Sequence, residues 1–100
     1  MKKAAFLSII ALIFILSACS TFNRSYKLGT EAATNRDWDK AIKHFERAVQ
    51  EDPDNAAYRL ALTRAKIMAS YSHAFTARKL AAEGKKEEAL AEYEKALAFD

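Results

Sequence analysis

The strongest periodic signal in the chain lies between residues 36 and 55. Trp38, Ala41, Ile42, Phe45, Ala48 and Val49 recur there at steps of three and four. That spacing gathers them on one stripe of a helix and turns Asp39, Lys40, Lys43, Glu46 and Arg47 to water. Asp37 is placed to cap the helix, and the run Asp52-Pro53-Asp54-Asn55 stops it and can start the next. Upstream, Tyr26, Gly29, Ala32 and Ala33 predict an earlier helix over about residues 22–35, with Leu28 as a further contact. Downstream, residues 56–83 contain neither Gly nor Pro, which predicts one long helix of roughly 40 Å. Its apolar positions form two stripes, Tyr58, Leu62, Ala65, Met68 and Ala69 on one, and Leu60, Ile67, Tyr71, Ala74 and Phe75 on the other. Two apolar sides predict neighbours on both. Gly84 is suited to a left-handed cap, with Arg78, Lys79, Lys85 and Lys86 near the negative helix end, and residues 87–99 predict a last helix.

The last helix repeats the pattern of the third. Ala89, Leu90, Tyr93, Ala96 and Leu97 follow the order and spacing of Ala41, Ile42, Phe45, Ala48 and Val49, 48 residues further on. A small residue, then an aromatic, then a small residue suits two helices that approach closely and need a ring to fill the gap between them. With Pro53 closing the first copy, this order resembles the second helix of a tetratricopeptide repeat, a helix–turn–helix unit of about 34 residues. Aligning Ala41, Phe45, Ala48 and Pro53 to that family starts the unit at Phe22 and puts Leu28-Gly29 on the family's Leu-Gly pair. Ser25 stands where the family often has Trp, and Ala32 where it often has Tyr. The resemblance implies an all-α fold of stacked helical hairpins, an α-solenoid, with one elongated central helix. Repeat packing would fall to Leu28, Gly29, Trp38, Ala41, Phe45, Ala48, Pro53, Ala89, Tyr93 and Ala96.

The family binds peptides or partner helices in a groove lined by the first helix of each pair. Carried over, that face holds Asn23, Tyr26, Thr30, Ala33 and Thr34 in the first unit. In the second it holds Tyr71, Ala74, Arg78, Ala81 and Ala82. Tyr26, Thr30, Tyr71 and Arg78 are the candidate groove residues, set against the plainer reading that both tyrosines pack between helices. The Lys and Asn clamp that some members use for a C-terminal carboxylate is missing from these places, which argues against an adaptor for chaperone tails.

The N-terminus carries a different signal. Lys2-Lys3 precedes a run, residues 4–16, that is apolar except for Ser8, and Leu16-Ser17-Ala18-Cys19 follows. The run is shorter than the ~20 residues that span a bilayer, so it reads as a signal peptide. Leu-Ser-Ala-Cys resembles the lipobox of bacterial lipoproteins, in which the Cys thiol takes a diacylglyceryl group, the preceding bond is cut and the new amine is acylated. The resemblance implies a signal peptide over residues 1–18, with Leu16, Ser17 and Ala18 as the peptidase motif. Cys19 would be the lipidated residue, residues 19–22 a tether, and residues 23–100 a repeat region expected to continue beyond 100. Several acyl chains hold a protein on a membrane where one binds only marginally. Ser20, in place of the Asp that retains enterobacterial lipoproteins at the inner membrane, favours the outer membrane with the repeats facing the periplasm.

Composition narrows the chemistry. Cys19 is the single cysteine, so no disulfide can form within the chain. The net charge of +3 falls to roughly +1 without Lys2 and Lys3, and acidic and basic residues alternate along the helices, with no basic aromatic face for nucleic acid. His44 and His73 stand far apart without metal-ligand spacing, and no phosphate loop or nucleophile elbow occurs. The pairs Glu87-Glu88 and Asp52/Asp54 read as capping charges. Nothing calls for a metal, a cofactor or catalysis, and protein recognition is the expected activity. A lipobox followed directly by such an array resembles the N-terminal region of some secretin-like proteins of type II secretion and type IV pilus systems. The alternatives are a free-standing repeat lipoprotein that helps an outer-membrane protein assemble, as pilotins do, and a repeat region preceding a cell-wall enzyme. No oligomeric state is specified by the pattern.

Overall fold

The computed structural model describes residues 2–22 and 24–99, with side chains described outside residues 14–22. Among the described residues five helices follow one another: α1 Lys2–Phe22, α2 Arg24–Thr34, α3 Trp38–Glu51, α4 Ala56–Ala82 and α5 Lys86–Leu97. No strand occurs among the described residues, and the fold is all-α. α2 with α3 and α4 with α5 form hairpins, and α3 packs on α4 between them. α1 stands away from this stack with Phe6, Leu7, Ile9, Leu12 and Ile13 exposed. It draws the molecule out to 78 × 22 × 14 Å and raises the radius of gyration to 20.4 Å, against ~13 Å for a compact chain of this length. Among the described residues no helix is long and apolar enough to cross a membrane. Backbone residues 16–22 belong to α1, but the side chains of Leu16, Ser17, Ala18 and Cys19 lie outside the described residues.

The helix boundaries follow from local chemistry. Asp37 caps α3 by accepting from the Lys40 amide at 3.3 Å, and Asn55 caps α4 by accepting from the Tyr58 amide at 3.2 Å. α4 ends in the two hydrogen bonds of a Schellman turn, Gly84 N–H to Ala81 O at 3.1 Å and Lys85 N–H to Leu80 O at 3.0 Å, with Gly84 at φ +80°. α2 ends in the same pair of bonds, Arg36 N–H to Ala33 O and Asp37 N–H to Ala32 O, with Arg36 taking φ +58°. The pattern of residue types does not announce this second turn, because an arginine there must accept a backbone that ordinarily favours glycine.

Eight of the eleven buried hydrophobic residues among those described are alanines, so the helices meet through close backbone approach rather than through large side chains. The main core joins Ala32 of α2, Ala41, Ile42 and Phe45 of α3, and Ala65 and Ala69 of α4. Gly29 belongs to this arrangement. A Cβ there would sit 2.5 Å from Cδ1 and Cε1 of Phe45, so the ring needs a bare backbone opposite it. Ser25, in the place the family often gives to Trp, is buried and donates to Glu51 Oε1 at 3.0 Å, tying the start of α2 to the end of α3.

α4 corrects one expectation. Tyr58, Ala65 and Ala69 are buried as the first stripe predicts, but Leu60, Ile67, Tyr71 and Phe75 of the second stripe are exposed, as is Met68 of the first. α5 packs instead along Ser70, His73 and Ala77. Ser70 Oγ donates to Ala96 O at 2.9 Å, His73 meets Glu92, and Ala77 of α4 and Ala89 of α5 are both buried. Small side chains let the two backbones approach, and the larger apolar stripe cannot serve that contact. It is left facing outward.

Candidate functional site

The first half of α4 and the facing side of α2 enclose an open cavity of about 400 Å³. α2 contributes Tyr26, Thr30 and Ala33, α4 contributes Ala61, Arg64, Ala65, Ile67 and Met68, and Trp38 and Phe45 of α3 complete the lining. Tyr26 is held by its neighbours. Its ring stacks on Tyr58 at 5.0 Å with 24° between planes, and meets Phe45 at 5.7 Å with a tilt of 44°. Thr30 donates its hydroxyl to its own helix, to Tyr26 O at 2.9 Å, so that its polar group is already satisfied. Arg64 is the only charged residue lining the cavity and enters none of the ion pairs found among the described residues. The cavity is an apolar trough with one cation on its wall.

Of the candidate groove residues, Tyr26 and Thr30 line this cavity together with Ala33. Tyr71 and Arg78 do not. Both are exposed on α4, one turn and about three turns past Ile67. The plainer reading of the tyrosines suits Tyr26, which packs between helices while also facing the groove, and does not suit exposed Tyr71. The reason is a register of 34 rather than 48. Advancing Tyr26, Thr30, Ala33 and Thr34 by one repeat length of 34 arrives at Leu60, Arg64, Ile67 and Met68. The first half of α4 therefore faces α2, and the 48-residue offset governs only the contact of the second half with α5. Arg64, Ile67 and Met68 could have been reached from the sequence by that step.

The remaining packing residues fall in two groups. Ala41, Phe45, Ala48, Ala89 and Ala96 are buried, and Gly29 is buried against Phe45. Trp38 is half-buried against the core, whereas Leu28 and Tyr93 are each more than a third exposed and Pro53 lies exposed in the turn after α3. Leu28 sits beside Arg24, His44 and Arg47, where no further helix covers it among the described residues. Among the described residues no group of three or more His, Cys, Asp and Glu is arranged to hold a metal ion.

Residues 32–69 match the model of the tetratricopeptide repeat family. The matched stretch takes in the end of α2, all of α3 and the half of α4 that faces the groove, so the chain is similar to a tetratricopeptide repeat at the place where the cavity is built. Such repeats are generally non-catalytic scaffolds that bind proteins. No curated protein and no solved structure matches the chain.

Proposed function

We propose that the chain is a lipid-anchored scaffold of the bacterial cell envelope that binds a protein segment in the trough between α2 and α4. The observation that carries this reading is the lining itself: a preformed apolar surface, walled by a packed Tyr26 and by Ile67 and Met68, with Arg64 as its single charge. α4 holds five basic residues and no acidic one. The fitting partner is an amphipathic segment that lays apolar side chains along the trough and sets a carboxylate against Arg64. The lipobox-like Leu16-Ser17-Ala18-Cys19 supports attachment through Cys19, with the repeats facing the periplasm and the outer membrane favoured by Ser20. The resemblance of a lipobox followed by this array to secretin-like proteins supports a place in a type II secretion or type IV pilus assembly.

Two measurements test the parts separately. Cys19→Ala is expected to abolish fatty-acid labelling and leave the precursor uncut; a mature, membrane-bound variant would refute the anchor. Photo-crosslinking groups at Thr30 and Ile67 are expected to trap the same envelope protein, with capture lost in Arg64→Glu and unchanged from a control group at Lys43. Capture that is equal from Lys43, or indifferent to Arg64, would refute the trough. Trapped proteins outside secretion and pilus assemblies would remove the secretin-like assignment while leaving the binding surface in place.

A further inference from the structure

One polar side chain reaches from α4 to both of the helices packed on it. His73 Nδ1 lies 2.6 Å from Glu92 Oε2 of α5, and Nε2 lies 3.1 Å from both carboxylate oxygens of Asp39 of α3. The Phe99 ring stacks on the imidazole, with centroids 6.1 Å apart and 15° between planes. A neutral imidazole has one N–H, so it can donate to one of these carboxylates while its other nitrogen turns a lone pair toward the other. An imidazolium donates to both. The arrangement is therefore fully satisfied only with the ring protonated.

We propose that His73 is a proton-operated clasp that fastens the second hairpin to the first. Protonated, it forms two charge-assisted hydrogen bonds that span α3, α4 and α5. Deprotonated, it keeps one, and the junction at Asp39 or at Glu92 is released. The segment of α4 beyond Ala69 carries the exposed Tyr71, Phe75 and Arg78, and its second-hairpin contact is with α5. The clasp thus sets how firmly the far end of the apolar stripe is held relative to the trough.

The surrounding charges leave His73 as the titrating member. Lys95 of α5 is engaged with Glu92 Oε1 at 3.0 Å. Lys43 and Glu46 of α3 line the cavity on one side of the ring, and Arg36 and Asp37, from the turn before α3, line that on the other. Burial alone would lower the affinity of the ring for a proton. The hydrogen bonds to Glu92 and Asp39, and then their charges, outweigh it and hold His73 above its ordinary value. Glu92 is held below its ordinary value, first by the hydrogen bond with His73 and then by that with Lys95. A raised histidine stabilises the fold fully below about pH 6.5 and ceases to do so as pH rises through the folded value. A depressed Glu92 stabilises it above about pH 4.5 and ceases to as pH falls through its own. The clasp is closed between these limits and opens on the alkaline side.

The test is urea unfolding of the full chain in detergent micelles between about pH 6 and about pH 9, a range in which ordinary carboxylates and lysines keep their charge. The folded-to-unfolded ratio is expected to fall about three- to tenfold across it, the factor that one net hydrogen bond controls. His73→Gln should abolish the fall, and His44→Gln should retain it. A flat wild-type profile, or a fall that survives His73→Gln, overturns the proposal. Should His73→Gln fail to fold, the ring titration of His73 read by NMR decides. Its midpoint should drop in Asp39→Asn, and an unchanged midpoint overturns the clasp.

Discussion

The two hairpins carry the same motif and bury it to different depths. Ala41 and Ala48 in α3, and Ala89 and Ala96 in α5, are all buried, because each pair faces the partner helix of its own hairpin. The large residues of the motif part company. Phe45 is 4% exposed and Ile42 5%, whereas Tyr93 is 38% exposed and Leu90 60%. α3 lies between α2 and α4, so its ring is closed in from both sides, while α5 has α4 as its one close neighbour among the described elements. The small residues of the motif thus report the hairpin, and the large ones report the next helix along. A matching pattern establishes a pairing surface without establishing that it is covered.

Truncation should expose that contrast most sharply. Phe45→Ala is expected to cost about 3–5 kcal/mol, since the ring fills the space between Gly29, Tyr26 and α4 and cannot be replaced by collapse. Tyr93→Ala should cost about 1 kcal/mol or less, because a half-open ring leaves little cavity behind. Urea denaturation of both variants decides, and equal losses would mean that α5 is covered as α3 is. Next in size, Gly29→Ala should destabilise by about 1–2 kcal/mol, although alanine in a helix is worth about 1 kcal/mol over glycine. A neutral or stabilising result would mean that the Phe45 ring yields to the new methyl.

The turns give the smallest effects and a second view of the same comparison. Arg36 and Gly84 are equivalent positions with the same left-handed backbone and the same Schellman bonds, yet only one is glycine. Arg36→Gly should stabilise by about 0.5–1 kcal/mol, read as a higher urea midpoint, as the strain of a side chain at positive φ is removed and part of the gain is lost to the freer unfolded chain. Their neighbours Asp37 and Lys85 also share a backbone conformation, φ −87° and −88°, but Asp37 caps its helix and Lys85 makes no side-chain cap. Lys85→Asp should add a further ~0.5 kcal/mol in the same measurement.

Much of this architecture was legible in the residues. The stripe from Trp38 to Val49, the Asp37 cap, the stop at Pro53, the glycine end of the long helix and the repeated motif each rest on local spacing and turn chemistry, and each recurs in the structure. The groove was only half legible. Tyr26 and Thr30 could be carried over from the repeat pattern, but α4 serves two registers at once, and the 48-residue offset of the repeated motif leads to Tyr71 and Arg78, whereas the 34-residue step leads to Arg64 and Ile67, which face α2. His73 gave no sign of its role. Asp39 stands 34 residues before it and Glu92 19 after it, so no local spacing joins the three.

The order of apolar and polar residues by itself determined where helices begin and end and which of their faces approach a neighbour, because those choices are made by interactions within about one turn of the chain. Only the tertiary structure decided which apolar face stays open, which half of α4 completes the trough, and that one imidazole sits between two carboxylates. Those outcomes depend on where the ends of separate helices fall in space, and a 27-residue helix that outruns its partners sets that distance through its length.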